Sequence, residues 1–204
     1  AIACSGARST EGTDRASLEL DQHEFLVNLA RRRSEVDDRE LPPLVTVALA
    51  PGAIMTREWE AGSNSILLVF LSGQATGLAV ADLLLGRVSP SGKLPLTIPQ
   101  VEGGAPEPCW DDHCQYREGL SVGWKALSGR DVSYAFGHGL TYTQFAYSWA
   151  SDSSPTLASG DVSSAPLKTL SVTVTNVGDA TAAEGAQLYL GFPASSGEPP
   201  LLLR

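Results

Sequence analysis

Two apolar runs constrain the fold of this chain more than any other feature of its sequence. LVTVALA at residues 44–50 and SILLVFL at 65–71 are short, continuous and rich in β-branched side chains, which is typical of strands covered on both faces. Residues 1–4 resemble the end of a third such strand, and apolar helical segments separate the strands. Strands that alternate with helices require right-handed crossovers. We therefore predict an α/β fold with a mostly parallel sheet sandwiched by helices.

The first helix is predicted from its start signals. Asp21 can cap the helix, and Glu24 stands three residues later in a capping-box arrangement. Phe25, Leu26 and Leu29 are spaced to form one apolar face. The sequence thus predicts an amphipathic helix that begins at Asp21 and packs on the sheet.

The last part of the chain has a different pattern. Apolar and polar residues alternate strictly over 170–190, around the turn-forming residues 176–179, which predicts an antiparallel hairpin of an immunoglobulin- or fibronectin-type β-sandwich. A Ser-, Pro- and Asp-rich stretch resembles a linker. We predict an N-terminally incomplete α/β domain over 1–149, a linker over 150–166 and a C-terminally incomplete all-β sandwich over 167–204.

The charge balance excludes two classes of partner. The net charge is −9 and the isoelectric point about 4.7, whereas nucleic acids and anionic membranes are bound by clustered Lys and Arg. The basic cluster Arg31–Arg33 is followed at once by acidic residues, which predicts a solvated helix end. No apolar run approaches the roughly 20 residues of a membrane-spanning helix. The chain opens on Ala-Ile-Ala-Cys, so we expect it to be a fragment or a processed piece.

The cysteines allow two interpretations. Cys109 and Cys114 are close enough in a loop to form a small disulfide, which leaves Cys4 alone. Their spacing, with Asp111, Asp112 and His113 between them, could also suggest a metal site. A second ligand pair is missing, so a solvated loop or a local disulfide is favoured over metal. An odd number of cysteines leaves the redox compartment open.

Ligands of an open parallel sheet gather at the carboxyl ends of its strands, and two predicted loops lie there. The loop 5–20 holds Glu11, Asp14 and Arg15, and a loop of that length inside a compact domain is often functional. Taken alone, a single acidic side chain in a loop is more often solvated than catalytic. The loop 72–77 has two glycines but no phosphate-binding motif.

Four other side chains are weaker candidates. His138 lies between two glycines in FGHGL, which favours a packed corner with a hydrogen-bonded imidazole over a catalytic base. Trp110, Trp124 and Tyr142 could stack on a sugar ring, although aromatic rings at this density are more often part of a core. The residues that bind a substrate therefore stay unknown from the sequence.

Five segments, in order, resemble glycoside hydrolase family 3. TEGTDRASLEL is similar to the family's E-G-x-D-R-x-x-L-x-L. GQATGLAVADLLLGRVSPSGKLPLTIP resembles its GQ-x-x-G segment, which ends in P-S-G-[KR]-L-P-x-T-x-P. YREGLSVGWK and FGHGLTYTQFAYS resemble its Y-x-E-G-x-x-V-G-Y-[KR] and F-G-x-G-L-[ST]-Y-T-x-F. TVTNVGDATAAEGAQLYLG and EPPLLLR resemble the start of the fibronectin-III-like domain of many members.

The resemblance implies a retaining β-glycosidase, similar to β-glucosidases, that acts on terminal β-linked glucosyl residues. In this family an N-terminal (β/α)8 barrel supplies an aspartate nucleophile, and the α/β domain supplies the acid/base glutamate in a loop before a glycine. The matching residue here is Glu11. Nothing in the sequence corresponds to the barrel, so we expect the barrel in cis or as a separate chain, and an inactive isolated chain. The resemblance implies no cofactor and no metal, and an extracellular or secretory/vacuolar location.

Two alternatives stay open. The chain could be a non-catalytic scaffold or interaction module of a larger assembly, because truncation at both ends leaves strand edges unpaired, or it could be part of a β-xylosidase. It also departs from the family pattern. The loop 72–77 reads SGQATG where many members have P-G-Q-x-G-G, Trp124 stands where tyrosine is usual, and no N-x-[ST] sequon occurs.

Overall fold

A computed structural model describes residues 1–13, 15–37, 40–103, 113–150, 170–196 and 201–203. The chain divides into two compact units. The first unit comprises Ala1–Ala79, Lys93–His138 and Ala186–Arg204, and the second comprises Val80–Gly92 and Gly139–Gly185.

A parallel sheet of three strands lies in the first unit. Its strands are β1 (Ile2–Gly6), β2 (Val45–Leu49) and β3 (Ser65–Val69), in the spatial order β1-β2-β3. The central residue Val47 lies opposite Cys4 and Leu67. The side chains of β2 are buried from Thr46 to Ala48, as expected for a β-branched strand with neighbours on both sides. The predicted parallel sheet is therefore confirmed for these strands.

The first helix, α1 (His23–Ser34), begins later than predicted. Gln22 holds the N-cap position and makes no side-chain capping hydrogen bond. The Asp21 carboxylate instead accepts a hydrogen bond from Arg8 Nε at 3.0 Å, so it does not cap the helix. The predicted capping box is wrong because Asp21 binds the chain that leaves β1.

The apolar face of α1 is narrower than predicted. Leu26 is buried in the core of the first unit and Leu29 packs against that core, but Phe25 is 54% exposed. Arg31 and Arg32 are exposed in the last turn of the helix. The predicted solvated helix end is therefore confirmed for Arg31 and Arg32. Arg33, in the same turn, is half-buried and donates hydrogen bonds to Pro42 and Asn64. Basic side chains there suit the helix dipole.

Trp59 is the largest fully buried side chain in the described part of the chain. Its indole Nε1 donates a hydrogen bond to the Met55 carbonyl at 3.0 Å, so the polar atom of the ring is satisfied inside the core. The core of the first unit thus combines strand, helix and loop residues: Ala3, Leu20, Leu26, Leu44, Ala48, Ala50, Ile54, Trp59 and Ile98.

Gly62 lies so close to α1 that no side chain fits between them. A Cβ atom on Gly62 would lie 2.5 Å from both Cα and Cβ of Ala30, and neither atom can move without shifting the helix. We expect Gly62→Ala to lower the free energy of unfolding by about 1–3 kcal/mol, as overpacking does. Urea unfolding followed by circular dichroism measures this change. Gly52→Ala is the control, since a Cβ there meets nothing within 4 Å, and an equal loss in both variants would contradict the prediction.

The second helix, α2 (Thr76–Leu84), is less buried than a helix of the predicted sandwich would be. It has no buried residue, and the side chain of Leu78 is 76% exposed. No helix among the described residues is long and apolar enough to span a membrane. The predicted sandwich of helices is thus not observed in the described part of the chain, because the residues of α2 are half-buried or exposed there.

The remaining strands form antiparallel pairs. The predicted hairpin over 170–190 is wrong, because its two halves pair with other segments. The pairs are β4 (Ile98–Pro99) with β5 (Val132–Tyr134), β6 (Phe145–Trp149) with β7 (Val172–Asn176), and β8 (Tyr189–Gly191) with β9 (Leu201–Leu203).

The Asn176 side chain binds the chain on both sides of the end of β7. Its side-chain oxygen accepts hydrogen bonds from Thr143 Oγ1 at 2.6 Å and from the Gly178 amide at 3.1 Å. Its Nδ2 donates to the Ala180 carbonyl at 2.8 Å. The chain after β7 is thereby bound to the residues that precede β6. The boundaries 1–149, 150–166 and 167–204 and the fibronectin-III-like sandwich stay predictions, and residues 151–166 lie outside the described part.

Candidate active site

The loop that follows β1 is closed at its base. The Asp21 amide donates a hydrogen bond to the Gly6 carbonyl at 2.8 Å, so residues 7–20 leave and return at the carboxyl end of the strand. The Gln22 side-chain oxygen accepts hydrogen bonds from the Ser5 hydroxyl at 3.0 Å and the Gly6 amide at 3.1 Å. One side chain at the start of α1 thus holds the end of β1.

Arg15 attaches the returning limb of the loop to a neighbouring segment. Its Nη1 donates to the Ala53 carbonyl at 3.0 Å, and its Nη2 donates to the Glu19 carbonyl at 3.1 Å. Both acceptors are backbone carbonyls, so the two bonds of the guanidinium fix the path of the chain.

The same limb has two more attachments. The Leu18 amide donates to the Glu102 carboxylate, and the Leu18 carbonyl accepts from the Met55 amide at 3.0 Å. Ile54 and Thr56, on either side of Met55, are almost fully buried. The limb is therefore bound to a segment that is itself part of the core.

The tip of the loop is a tight turn. Thr10 and Thr13 form an isolated antiparallel bridge, so Glu11 and Gly12 are the two central residues. Gly12 has φ of +77°, as the third position of a type II turn requires, which favours glycine there. The positive φ of the turn thus accounts for the glycine after Glu11. The Glu11 side chain is exposed at the tip. Asp14 lies outside the described residues.

The second predicted loop lies at the same edge of the sheet, because it follows β3 in the same direction. Gly73 has φ of +73° and begins a short 3₁₀ turn that leads into α2. Thr76 Oγ1 donates to the Gly73 carbonyl at 2.6 Å and accepts from the Ser72 hydroxyl at 2.6 Å. The side chains of 72–75 are exposed, so this loop offers hydroxyl and amide groups on the edge where the Glu11 loop lies, with β2 between them.

His138 belongs to a backbone corner. The Gly137 amide donates to the Leu94 carbonyl and the Leu94 amide donates to the His138 carbonyl, both at 2.8 Å. The predicted packed corner is confirmed for the backbone, but the imidazole is exposed and lies 5.3 Å from the Tyr134 ring. Burial raises the pKa of the Tyr134 phenol above its usual value, and the Glu60 carboxylate adds to the rise. Tyr134 therefore stays a neutral neighbour of His138.

Two of the predicted aromatic residues, Trp124 and Tyr142, are described by the structure, and they belong to different units. Trp124 stacks on Phe136 with ring centroids 5.2 Å apart, and Tyr189 meets it edge-on at 6.0 Å. The Trp124 ring is thus part of an aromatic cluster, which agrees with a packing role. Tyr142 is exposed in the second unit, and Trp110 lies outside the described residues.

The cysteines are in two states. Cys114 is disulfide-bonded, and Cys4 is free and exposed. Cys109, Asp111 and Asp112 lie outside the described residues, and among the described residues no group of three or more metal-ligating side chains comes together.

Comparison with known proteins decides the family. Residues 1–142 match the sequence model of the glycosyl hydrolase family 3 C-terminal domain. The chain belongs to this family.

Family 3 relatives extend the match beyond residue 142. The chain is 34% identical to the thermostable β-glucosidase B of Acetivibrio thermocellus over 197 residues, which cover 94% of this chain and 24% of that protein. It is 31% identical to a β-glucosidase of Rhizobium radiobacter over 207 residues, which cover 96% of this chain and 24% of that protein. The crystal structure of a β-D-glucoside glucohydrolase from Trichoderma reesei superposes with a TM-score of 0.77 at 29% identity, covering all of this chain and 31% of that one. The chain thus spans about a quarter of the length of these family 3 relatives.

Sequence reasoning located the loop but not its attachments. Glu11 and Arg15 were visible in the family motif, whereas Gln22 and Glu102 carried no signal of their own. The Glu102 carboxylate accepts a hydrogen bond from a loop residue that lies 84 positions away in the sequence, and a local sequence pattern cannot predict a contact over that separation. Gln22 holds the N-cap position directly after Asp21, the residue predicted to cap the helix. Only that position pointed to Gln22, and its contact with the end of β1 was not predicted.

Proposed function

We propose that this chain supplies the general acid/base side chain, Glu11, of a retaining β-glucosidase of family 3. The observation that carries the proposal is a carboxylate at the tip of a tight turn, on a loop whose base and returning limb are hydrogen-bonded to the core. Such a loop can hold an acidic group at a fixed place while leaving it open to another surface. The nucleophile comes from a (β/α)8 barrel, present in cis or as a separate chain.

The proposed chemistry has two proton transfers. Glu11 protonates the leaving glycosidic oxygen as the barrel aspartate attacks the sugar, and then deprotonates the water that releases it. Retention requires the two carboxyl groups to lie about 5–5.5 Å apart. A general acid is kept protonated by a partly desolvated surrounding. Because the tip is exposed in the described chain, the covering surface is assigned to the barrel.

The proposed substrate class is supported by the relatives of this chain, and the proposed cellular location is supported by a disulfide bond. Because the relatives from Acetivibrio thermocellus and Rhizobium radiobacter are named β-glucosidases, we propose terminal β-linked glucosides rather than xylosides as the substrate. A disulfide at Cys114 supports an extracellular or secretory/vacuolar compartment, since disulfides persist in oxidising environments.

The division of labour between chain and barrel has a direct test. The 204-residue chain is expected to leave 4-nitrophenyl β-glucoside unchanged, because it holds the acid/base group without the nucleophile. Together with its barrel, the chain is expected to release nitrophenol, in an assay that follows absorbance. Turnover by the isolated chain at the rate of the complete enzyme would refute the proposal.

A second function is favoured by one observation. Within the described residues, β1 and β3 each pair with β2 alone, and unpaired strand edges are sites where another chain can add. The chain could therefore serve as a non-catalytic interaction module. Purification of the native particle separates the two functions, since a stoichiometric complex without any barrel supports the module and a complex with a barrel supports the enzyme.

A further inference from the structure

We propose that Arg15 is a positioning residue that determines where the loop presents Glu11. The inference rests on the proposed function, because it assigns a role in that same reaction. Arg15 stands four residues after Glu11 in the sequence and is the attachment of the returning limb nearest to the tip among the described residues. The bonds of Arg15 hold the chain next to the solvent-exposed turn, so the turn starts from a fixed place.

The segment that receives Arg15 is bound into the core of the first unit. Ala53, whose carbonyl accepts from Nη1, stands directly before Ile54, which is fully buried. Two residues on, Met55 is bound to Leu18 through its amide and to Trp59 through its carbonyl. The guanidinium thus anchors the loop to one of the most buried parts of the first unit.

The geometry of the contact requires an arginine. Two nitrogens of one planar group reach two carbonyls, at Ala53 and Glu19, with bonds of 3.0 and 3.1 Å. A lysine ammonium keeps the charge but lacks this fork. Because both acceptors are uncharged carbonyls, neither bond depends on the ionisation of a carboxylate.

The same loop contains a matched comparison. Arg8 also bonds within the loop region, through Nε to the Asp21 carboxylate at 3.0 Å, but its side chain is 91% exposed. Exposed ion pairs contribute little to stability because solvent screens them and the side chains lose entropy. Removal of the Arg8 side chain therefore tests charge loss on this loop without loss of the bonds from Arg15 to Ala53 and Glu19.

The first experiment uses the complete enzyme, meaning this chain with its barrel, and two substrates. A misplaced general acid slows cleavage of a poor leaving group, whereas 2,4-dinitrophenolate leaves without protonation. We expect Arg15→Ala and Arg15→Lys to lower kcat/KM for methyl β-glucoside about 10- to 100-fold, and for 2,4-dinitrophenyl β-glucoside less than about threefold. We expect Arg8→Ala to change both values less than about twofold. A merely structural role would lower both substrates equally by reducing the active fraction, and that result would overturn the proposal.

The second experiment needs no activity. In the 204-residue chain, amide hydrogen exchange over residues 7–20 should be faster in Arg15→Ala and Arg15→Lys than in the unchanged chain, while Arg8→Ala exchanges at the unchanged rate. Unaltered exchange in both Arg15 variants would overturn the positioning role even if Glu11 proves catalytic. A third outcome is faster exchange in the Arg15 variants together with a Glu11→Gln enzyme that cleaves methyl β-glucoside normally. That outcome would uphold the attachment of the loop by Arg15, but it would reject the proposed function and the role of Arg15 in it.

Discussion

Glu11→Gln in the complete enzyme is expected to lower kcat/KM for methyl β-glucoside about 10²- to 10⁴-fold, the usual contribution of a general acid. Glutamine keeps the size and hydrogen-bonding shape of the side chain but has no proton to give. For 2,4-dinitrophenyl β-glucoside the same substitution should leave kcat/KM nearly unchanged, because kcat/KM reports the steps up to the glycosyl-enzyme and this leaving group needs no acid. Initial rates with the two substrates measure the difference.

The matched control for Glu11 is another carboxylate of the same loop. Glu19 is exposed, and Arg15 binds its backbone carbonyl rather than its side chain, so Glu19→Gln keeps that attachment. It should leave both rates close to those of the unchanged enzyme.

Chemical rescue adds a test of the second step. In Glu11→Ala, azide should speed turnover of the dinitrophenyl substrate and give β-glucosyl azide, since azide attacks the glycosyl-enzyme without a general base. A Glu11→Gln enzyme with unchanged rates on methyl β-glucoside would remove Glu11 from the reaction.

Trp59→Ala is expected to lower the free energy of unfolding of the first unit by about 3–5 kcal/mol, as removal of a large aromatic side chain from a core does. The residue is 1% exposed, so the substitution leaves a cavity and leaves the Met55 carbonyl without its indole donor. A typical domain is stable by only about 5–15 kcal/mol. Urea unfolding followed by tryptophan fluorescence and circular dichroism gives the change.

Trp149 provides the comparison for Trp59. It is 45% exposed, so Trp149→Ala removes the same side chain with much less loss of buried surface, and we expect it to cost less than about 1 kcal/mol. Trp59→Phe should fall between the two alanine variants, since it keeps most of the ring volume but loses the indole N–H. Equal effects of the two alanine variants would contradict the assignment of Trp59 to the core.

The parallel strands were predictable because their composition reports their surroundings. A continuous β-branched run such as 44–50 is favoured only where both faces of a strand are covered, and β2 is covered in that way. The start of α1 was not predictable on the same grounds. An aspartate before a helix fits a cap, but it fits an ion pair equally well, and Arg8 lies within reach of Asp21 only in the folded chain.

The antiparallel part shows a different limit of sequence reasoning. Alternation over 170–190 correctly indicated extended chain at β7 and β8, but alternation does not name the partner of a strand. The partner of β7 is β6, and the side chain of Asn176 adds a hydrogen bond from Thr143, which lies 33 residues earlier. The candidate site was likewise only partly predictable. The family motif located Glu11, but the hydrogen bonds that hold its loop join segments that are distant in the sequence.

The bond between Leu18 and Glu102 has a consequence for the order of events during folding. Its partners are 84 residues apart, and contacts of large sequence separation form late because the entropy of closing the intervening chain must first be offset. During synthesis β1 leaves the ribosome before residue 102, so the limb that follows the strand lacks this partner until residue 102 has emerged. The parallel sheet, whose strands end at Val69, can therefore assemble before the loop that carries Glu11 gains this attachment. We expect a chain that misfolds after that point to have an intact sheet and a misplaced carboxylate.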